Sequence, residues 1–140
     1  MASGKSNTQI SKILNAEFNA TSYSSPATLY MALWTSPLTK TSDGSTAGET
    51  TYTGYTRVAV TANVTNFPSS SVGAAIQNGT AITFPSNGGV TSPAITYFVV
   101  LDSGSIGAGN ILYWGSISST TINPLDTPQV DVGNLTIAEV

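Results

Sequence analysis

The stretch "ITYFVVLDSGSIGAGNILYWGSI", residues 95 to 117, decides how this chain is interpreted. Two apolar runs flank a segment with glycines at positions 104, 107 and 109. This spacing is not G-x-G-x-x-G, and the segment lacks the Gly-Lys-Ser/Thr with which a P-loop holds phosphate and magnesium. Phosphate loops also lead into the N-terminus of a helix, whereas this segment leads into a strand pattern. The stretch therefore predicts a β-hairpin, with Asp102 and Asn110 as turn formers.

Most of the remaining chain also has strand patterns. "TLYMALWT" (28–35) is apolar on both alternating faces, which is typical of an interior strand covered on both sides. "YTRVAVTANVTNF" (55–67) alternates like a half-buried strand that continues through Val64. Asn78-Gly79 predicts a tight hairpin turn, and "QVDVGNLTIAEV" (129–140) predicts a last strand with a bulge at Gly133.

The N-terminal part follows a different pattern. Residues 1–6 are small and polar, and they predict a flexible arm. Ser6 or Asn7 can cap a short helix whose apolar stripe should pack on the rest of the domain. The stripe consists of Ile10, Ile13, Leu14 and Phe18. The predicted fold is mainly β: a single-domain antiparallel β-sandwich, jelly-roll-like, of seven to nine strands over residues 7–140, with one short N-terminal helix.

Composition excludes several functions. Only 8% of the residues are charged, where about 25% is usual, and the net charge is −3. The four basic residues are scattered, so no basic surface for nucleic acid is expected. No apolar run approaches the ~20 residues that cross a bilayer, and the N-terminus lacks the apolar region of a signal peptide. We therefore expect no nucleic-acid and no membrane partner.

Catalytic chemistry has little support in the sequence. The chain contains no cysteine and no histidine, so a nucleophile would have to be Ser, Thr, Lys or a carboxylate. "GSTAG" (44–48) has Thr46 where the nucleophile elbow needs serine, and the seven acids stand singly along the chain. Two acids could still meet in space as a glycosidase pair. We expect no enzyme activity, no metal site and no cofactor.

Two kinds of residue have a structural and a functional interpretation. Trp34, Trp114 and Tyr113 could stack on a sugar, but in alternating apolar strands they are more often core or subunit-interface anchors. Arg57, the only arginine, is expected to pair with an acid at the end of a strand. We favour the structural interpretation for both.

The order of several segments resembles a family of small virion proteins of tailed phages. The segments are "SSPATLYMALWTSP", "GYTRVAV", "AITFP", "ITYFVVLDS" and "GNILYWGSI", followed by the alternating C-terminal strand. Members of this family are often labelled tail fibre proteins, and similar small β-sandwich proteins serve as capsid cement or decoration subunits. The resemblance covers nearly the whole chain and implies a structural role, with no catalytic residues to carry over.

What the resemblance implies is a virion protein, assembled in the host bacterial cytoplasm and located at the particle surface. The leading hypothesis is a capsid cement protein, a homotrimer that binds the major capsid protein and stabilises the head lattice. The alternative is a tail fibre or baseplate component for host attachment, which contacts other tail proteins. A carbohydrate-binding module and a polysaccharide-degrading enzyme are more distant alternatives. The residues predicted to contact the capsid or a second subunit are Met1, Ala2, Ser3, Gly4, Lys5, Ser6, Asn7, Trp34 and Trp114.

Overall fold

The structure of the chain is a computed structural model that describes residues 3–69 and 75–138. Over these residues it contains one helix and nine strands. The helix is α1 (Asn7–Phe18). The strands are β1 (Ser3–Lys5), β2 (Thr28–Trp34), β3 (Val58–Thr61), β4 (Ala75–Gln77), β5 (Ile82–Thr83), β6 (Ala94–Leu101), β7 (Ile111–Thr121), β8 (Gln129–Val130) and β9 (Thr136–Ala138). The predicted mainly β class with one short N-terminal helix is confirmed.

Five strands form the main sheet, in the order β1-β7-β6-β2-β3, and every neighbouring pair is antiparallel. β2 is an interior strand of this sheet, and Met31–Trp34 are buried, as its two apolar faces predict. The remaining strands form two short sheets, β4-β9 and β5-β8.

The core lies on both sides of the main sheet. On one side, Phe98 and Val100 belong to the larger apolar cluster, which Ile82 and Phe84 from the β5 region and Ile137 of β9 also contact. The two short sheets therefore pack over the same face, which gives the layered arrangement of a sandwich with a divided second layer. On the other side, a smaller cluster around Trp34 and Leu101 is covered by Leu38 from the long loop after β2.

The stretch from residue 95 to residue 117 forms the predicted hairpin. β6 pairs with β7, and the glycine-rich segment is the loop between them. Asp102 closes this loop, since its Oδ1 accepts from the backbone N–H of Asn110 at 2.6 Å and its Oδ2 accepts from the Asn110 side chain at 2.9 Å. Gly107 and Gly109 have φ values of 80° and 88°, which glycine adopts without strain.

Three predictions of turns and strand lengths in the β region are wrong. Asn78-Gly79 does not join a hairpin, because β4 pairs with β9 and β5 pairs with β8. The buried Asn78 side chain instead accepts from the N–H of Leu135 and donates to the carbonyl of Asp131, so it links β4 to the C-terminal segment.

The other two wrong predictions concern strand length. β3 ends at Thr61 because the Asn63 side chain accepts from the next backbone N–H groups and starts a turn, which leaves Val64 72% exposed. The C-terminal strand is divided into β8 and β9 by a turn at Gly133, where φ is 79°.

The N-terminal segment also differs from the prediction. Ser3–Lys5 of the predicted arm form β1, which pairs with Tyr113–Gly115 of β7, because the free edge of β7 offers unpaired backbone groups to a small, polar chain. Met1 and Ala2 lie outside the described residues. Ser6 is the N-cap of α1, and its side chain accepts from the N–H of Gln9, as predicted.

The apolar stripe of α1 packs only in part. Ile10 and Ile13 are half-buried, but Leu14 is 50% exposed and Phe18 is 81% exposed. At 3.6 residues per turn, Leu14 and Phe18 lie roughly 100° and 140° around the helix from Ile13, so one sheet face cannot cover all of them. The predicted packing of the whole stripe is therefore wrong.

Candidate functional site

The predicted contact residues fall into two places in the fold. Ser3–Lys5 pair with the segment of β7 that contains Trp114, and a Cβ atom on Gly4 would lie 3.3 Å from the Trp114 ring. The backbone N–H of Asn7 donates to the carbonyl of Lys40 at 2.7 Å, which ties the start of α1 to the loop after β2. The structure thus brings the N-terminal segment and Trp114 together.

Trp34 lies elsewhere and is 0% exposed. Its Nε1 donates to the carbonyl of Thr46 at 3.3 Å, and its ring belongs to the smaller core cluster. The side chain therefore belongs to the core and has no surface open to solvent.

A cleft of about 680 Å³ opens beside the N-terminal segment. We call this cleft, between β1, β7 and β9, the N-terminal groove. Phe98, Tyr113, Trp114 and Leu135 are among the apolar side chains that line it. Two buried polar atoms of the lining, Trp114 Nε1 and Ser116 Oγ, have no hydrogen-bond partner among the described residues. Both atoms are shielded from solvent by the protein around them, so the groove offers a bound group mainly apolar surface.

A second cleft, of about 600 Å³, lies on the other side of Tyr113 and Ile137. We call it the side groove. Tyr23, Val64 and Ile76 line it and are also exposed, at 39%, 72% and 40%. No charged residue lines this groove within the described parts of the chain.

Arg57 is the centre of the polar network in the described structure, and it forms the predicted ion pair. Its Nε and Nη2 donate to the two carboxylate oxygens of Glu49 at 2.8 and 2.7 Å. Its Nη1 donates to the carbonyls of Ser103 and Ala108, both at 2.8 Å, and Nη2 also donates to the carbonyl of Gly44 at 3.2 Å. All five N–H groups of the guanidinium are therefore used.

This arrangement, which we call the loop clamp, joins two loops that are far apart in sequence. The loop between β2 and β3 supplies Glu49 and Gly44, and the β6–β7 loop supplies the other two carbonyls. Gly44 also donates its N–H to the carbonyl of Gly109 at 2.9 Å. The clamp is almost completely buried, with exposed side-chain fractions of 0% for Arg57 and 7% for Glu49.

Tyr55 completes the clamp from the core side. Its hydroxyl donates to Glu49 Oε1 at 3.0 Å and accepts from the N–H of Leu33 at 3.2 Å. Burial raises the pKa of Tyr55, and the nearby Glu49 carboxylate acts in the same direction. The phenol is therefore held in its neutral form.

The clamp holds structure together and has no free group for chemistry. Each carboxylate oxygen of Glu49 already accepts at least one hydrogen bond from Arg57, and the guanidinium cannot act as a base. Within residues 3–69 and 75–138, no group of three or more acidic side chains could hold a metal ion. Two other acids serve in turns: Asp102 closes the β6–β7 loop, and hydrogen bonds from Ser45 lower the pKa of the exposed Asp43.

Sequence reasoning missed both grooves and the exposed part of α1. The groove walls come from segments distant in sequence, and no local pattern shows that they meet. The exposed pair could have been noticed, because Leu14 and Phe18 stand four residues apart on a helix face away from Ile13. Across the described residues, no helix is long and apolar enough to span a membrane.

Comparison with known proteins supports a structural role. The chain matches the family model described as Podophage GP4 fiber I protein gp80 over residues 4–138. No curated protein matches the chain. The match spans β1 to β9, so it includes the N-terminal groove, the loop clamp and both layers of the fold. The chain belongs to the family of the podophage GP4 fiber I protein gp80 and is a phage virion structural protein of the fibre type.

Proposed function

We propose that this chain is a subunit of a fibre on the phage particle, and that it works by binding neighbouring protein subunits. The observation that carries the proposal is the family match over residues 4–138, whose description names a fibre protein. Of the two roles expected from the sequence, this description favours the fibre component over the capsid cement protein. Its partners in this role are copies of itself, in the predicted homotrimer, and other tail proteins.

The geometry supports a binding role in two ways. The loop clamp fixes two long loops against each other, so they can present a rigid surface to a partner. Two grooves with apolar linings open on the surface, where such surface commonly marks protein–protein contacts. Glu49, Asp43 and Asp102 are held in the clamp and in turns, so their part in the fold is structural.

A capsid cement protein is the second candidate. In its favour, the described part of the chain folds into a compact layered β domain with one 12-residue helix, and it contains no repeated shaft segment. Such a domain could bind across capsid subunits and stabilise the mature lattice by mass action, with the major capsid protein as its partner.

A phage whose gene for this chain carries an early stop codon distinguishes these roles. For a fibre subunit, we expect particles that contain DNA but adsorb to the host more slowly, and we expect added purified protein to restore adsorption. For a cement protein, adsorption stays normal while heads release their DNA at a lower temperature. Particles unchanged in both adsorption and heat resistance would contradict both roles.

A further inference from the structure

We propose that copies of this chain join head to tail, with an exposed ridge of α1 from one copy inserted into the N-terminal groove of the next. The ridge consists of Leu14, Glu17 and Phe18. This inference deepens the self-association in the proposed function by naming its surfaces. Its tests use the purified protein, so their failure would leave the virion assignment intact.

The ridge is apolar surface that the described chain leaves open to water. Phe18 is 81% exposed and Leu14 is 50% exposed, and they stand four residues apart, which places them side by side on the helix. Transfer of such apolar side chains from water into a protein contact is favourable. The ridge therefore gains stability from any partner that covers it.

The ridge cannot fill the groove of its own chain. Ile10, one of the first residues of α1, already lines the N-terminal groove. Phe18 lies eight residues further along the same helix, a distance of about 12 Å at 1.5 Å per residue. A ridge that enters this groove must therefore come from another molecule.

The groove can receive such a ridge. Its volume of about 680 Å³ exceeds what a leucine and a phenylalanine side chain together occupy, and Phe98, Tyr113 and Leu135 supply apolar walls. Apolar side chains inserted here would exchange contact with water for contact with these walls.

The N-terminal groove and the ridge carry opposite charges. Lys40 lines the N-terminal groove, is exposed, and has no ion-pair partner within the described residues. Glu17 is exposed on the ridge and likewise has no ion-pair partner there. The side groove has no charged lining residue among those described, so it offers Glu17 no counter-charge. Complementary charges fix orientation and suppress wrong partners, even where they add little affinity.

A second copy fits this site because every copy carries both halves of the contact. Ridge and groove are different surfaces, so the contact is heterologous, and repetition of it either closes into a ring or continues as a filament. A closed ring of three would produce the predicted homotrimer.

Size measurements on the purified protein test the ridge. We expect the wild-type chain to be oligomeric by sedimentation velocity and Phe18→Ser to raise the dissociation constant at least tenfold. Val90→Ser is the matched control, since Val90 is 92% exposed and lies outside the ridge and the groove lining. A monomeric wild type at 100 μM, or a Phe18→Ser variant that associates like wild type, would overturn the proposal.

Charge reversal tests the pairing of Glu17 with Lys40. We expect Glu17→Lys and Lys40→Glu each to weaken association about threefold to tenfold, and the double variant to recover most of the loss. If the dissociation constant of the double variant rises by the product of the two single increases, the two residues do not pair.

Cysteine cross-linking tests the head-to-tail geometry, because the natural chain has no cysteine. Ile117 lies in the groove lining. When a Phe18→Cys protein and an Ile117→Cys protein are combined and oxidised, they should form a mixed disulfide. Val90→Cys should not cross-link to either variant. A Phe18→Cys protein that cross-links rapidly to itself would indicate a two-fold contact and overturn the proposal.

Discussion

Arg57 makes more side-chain hydrogen bonds than one ion pair needs, and this defines its role. It neutralises Glu49 and also binds three backbone carbonyls from two loops. A buried charge that loses its partner is strongly destabilising, whereas replacing both charges by apolar groups can be nearly neutral. The stability of the clamp therefore depends on keeping both partners.

We expect Arg57→Met to lower the free energy of unfolding by about 3–5 kcal/mol, because the Glu49 carboxylate would remain buried without its counter-charge. Urea denaturation measures this. Lys12→Met is the matched control, since the Lys12–Asp102 pair is 3.9 Å apart and Lys12 is 40% exposed, so its loss should cost less than about 1 kcal/mol. Equal losses for the two variants would refute a special role for the clamp.

Tyr55 makes the stability depend on pH in the alkaline range. In the unfolded chain its phenol ionises near the ordinary tyrosine pKa of 10.0, but burial raises the pKa of Tyr55 in the folded chain. The unfolded state therefore binds fewer protons above pH 10, and stability falls as pH rises, by up to about 1.4 kcal/mol per pH unit for this one proton. Its contribution is fully present below pH 10.

Urea midpoints between pH 8 and pH 11.5 measure this loss. Burial also raises the pKa of Tyr52, so a Tyr55→Phe variant should keep a smaller alkaline slope rather than none. If the slope of the variant equals that of the wild type, Tyr55 does not contribute as we expect.

At the scale of elements, the two loops joined by the clamp are in close backbone contact. A Cβ atom on Gly44 would lie 1.9 Å from the carbonyl oxygen of Ala108, so the backbones could not keep their positions. We expect Gly44→Ala to destabilise the fold by about 1–3 kcal/mol, as overpacking usually does. Gly88→Ala is the control, because its new Cβ would meet Thr53 at 3.7 Å, an ordinary contact. Thermal unfolding that shifts equally in both variants would argue against this contact.

The start of α1 depends on one side chain. Ser6 is 2% exposed and caps the helix through the N–H of Gln9 at 3.2 Å. We expect Ser6→Ala to cost about 1 kcal/mol of stability, within a range of about 0.5–2 kcal/mol. Ser11→Ala, on the exposed surface of the same helix, should not lower stability, because alanine is the better helix former. If the two variants have the same urea midpoint, the cap does not stabilise the helix.

Sequence patterns predicted the elements whose signals are local. The β6–β7 hairpin, the interior strand β2 and the Ser6 cap each follow from residues close together in the chain. Asn78-Gly79 was misinterpreted because its turn propensity was overridden by long-range hydrogen bonds from Asn78 to the C-terminal segment. The clamp was predicted only as an ion pair of Arg57 with an unnamed acid. The contact between the two loops could not be predicted, because their residues are far apart in the sequence.

At the scale of the whole molecule, sparse charge and open apolar surface lead to the same expectation. Only 8% of the residues are charged, and the exposed ridge on α1 and the two grooves leave apolar atoms in contact with water. Exposed apolar surface bordered by polar residues commonly marks protein–protein contacts. A subunit of an assembly covers them with its neighbours, which agrees with membership in a fibre protein family.

Immunogold electron microscopy of intact particles, with an antibody against the purified chain, tests the central claim most directly. We expect gold at the fibres that project from the particle, and no gold on particles from the stop-codon phage. Gold spread evenly over the head would instead support the cement role. An antibody against another surface protein is the control for labelling. If that antibody labels intact particles and the antibody against this chain does not, the claim that this chain is a fibre subunit of the virion is contradicted.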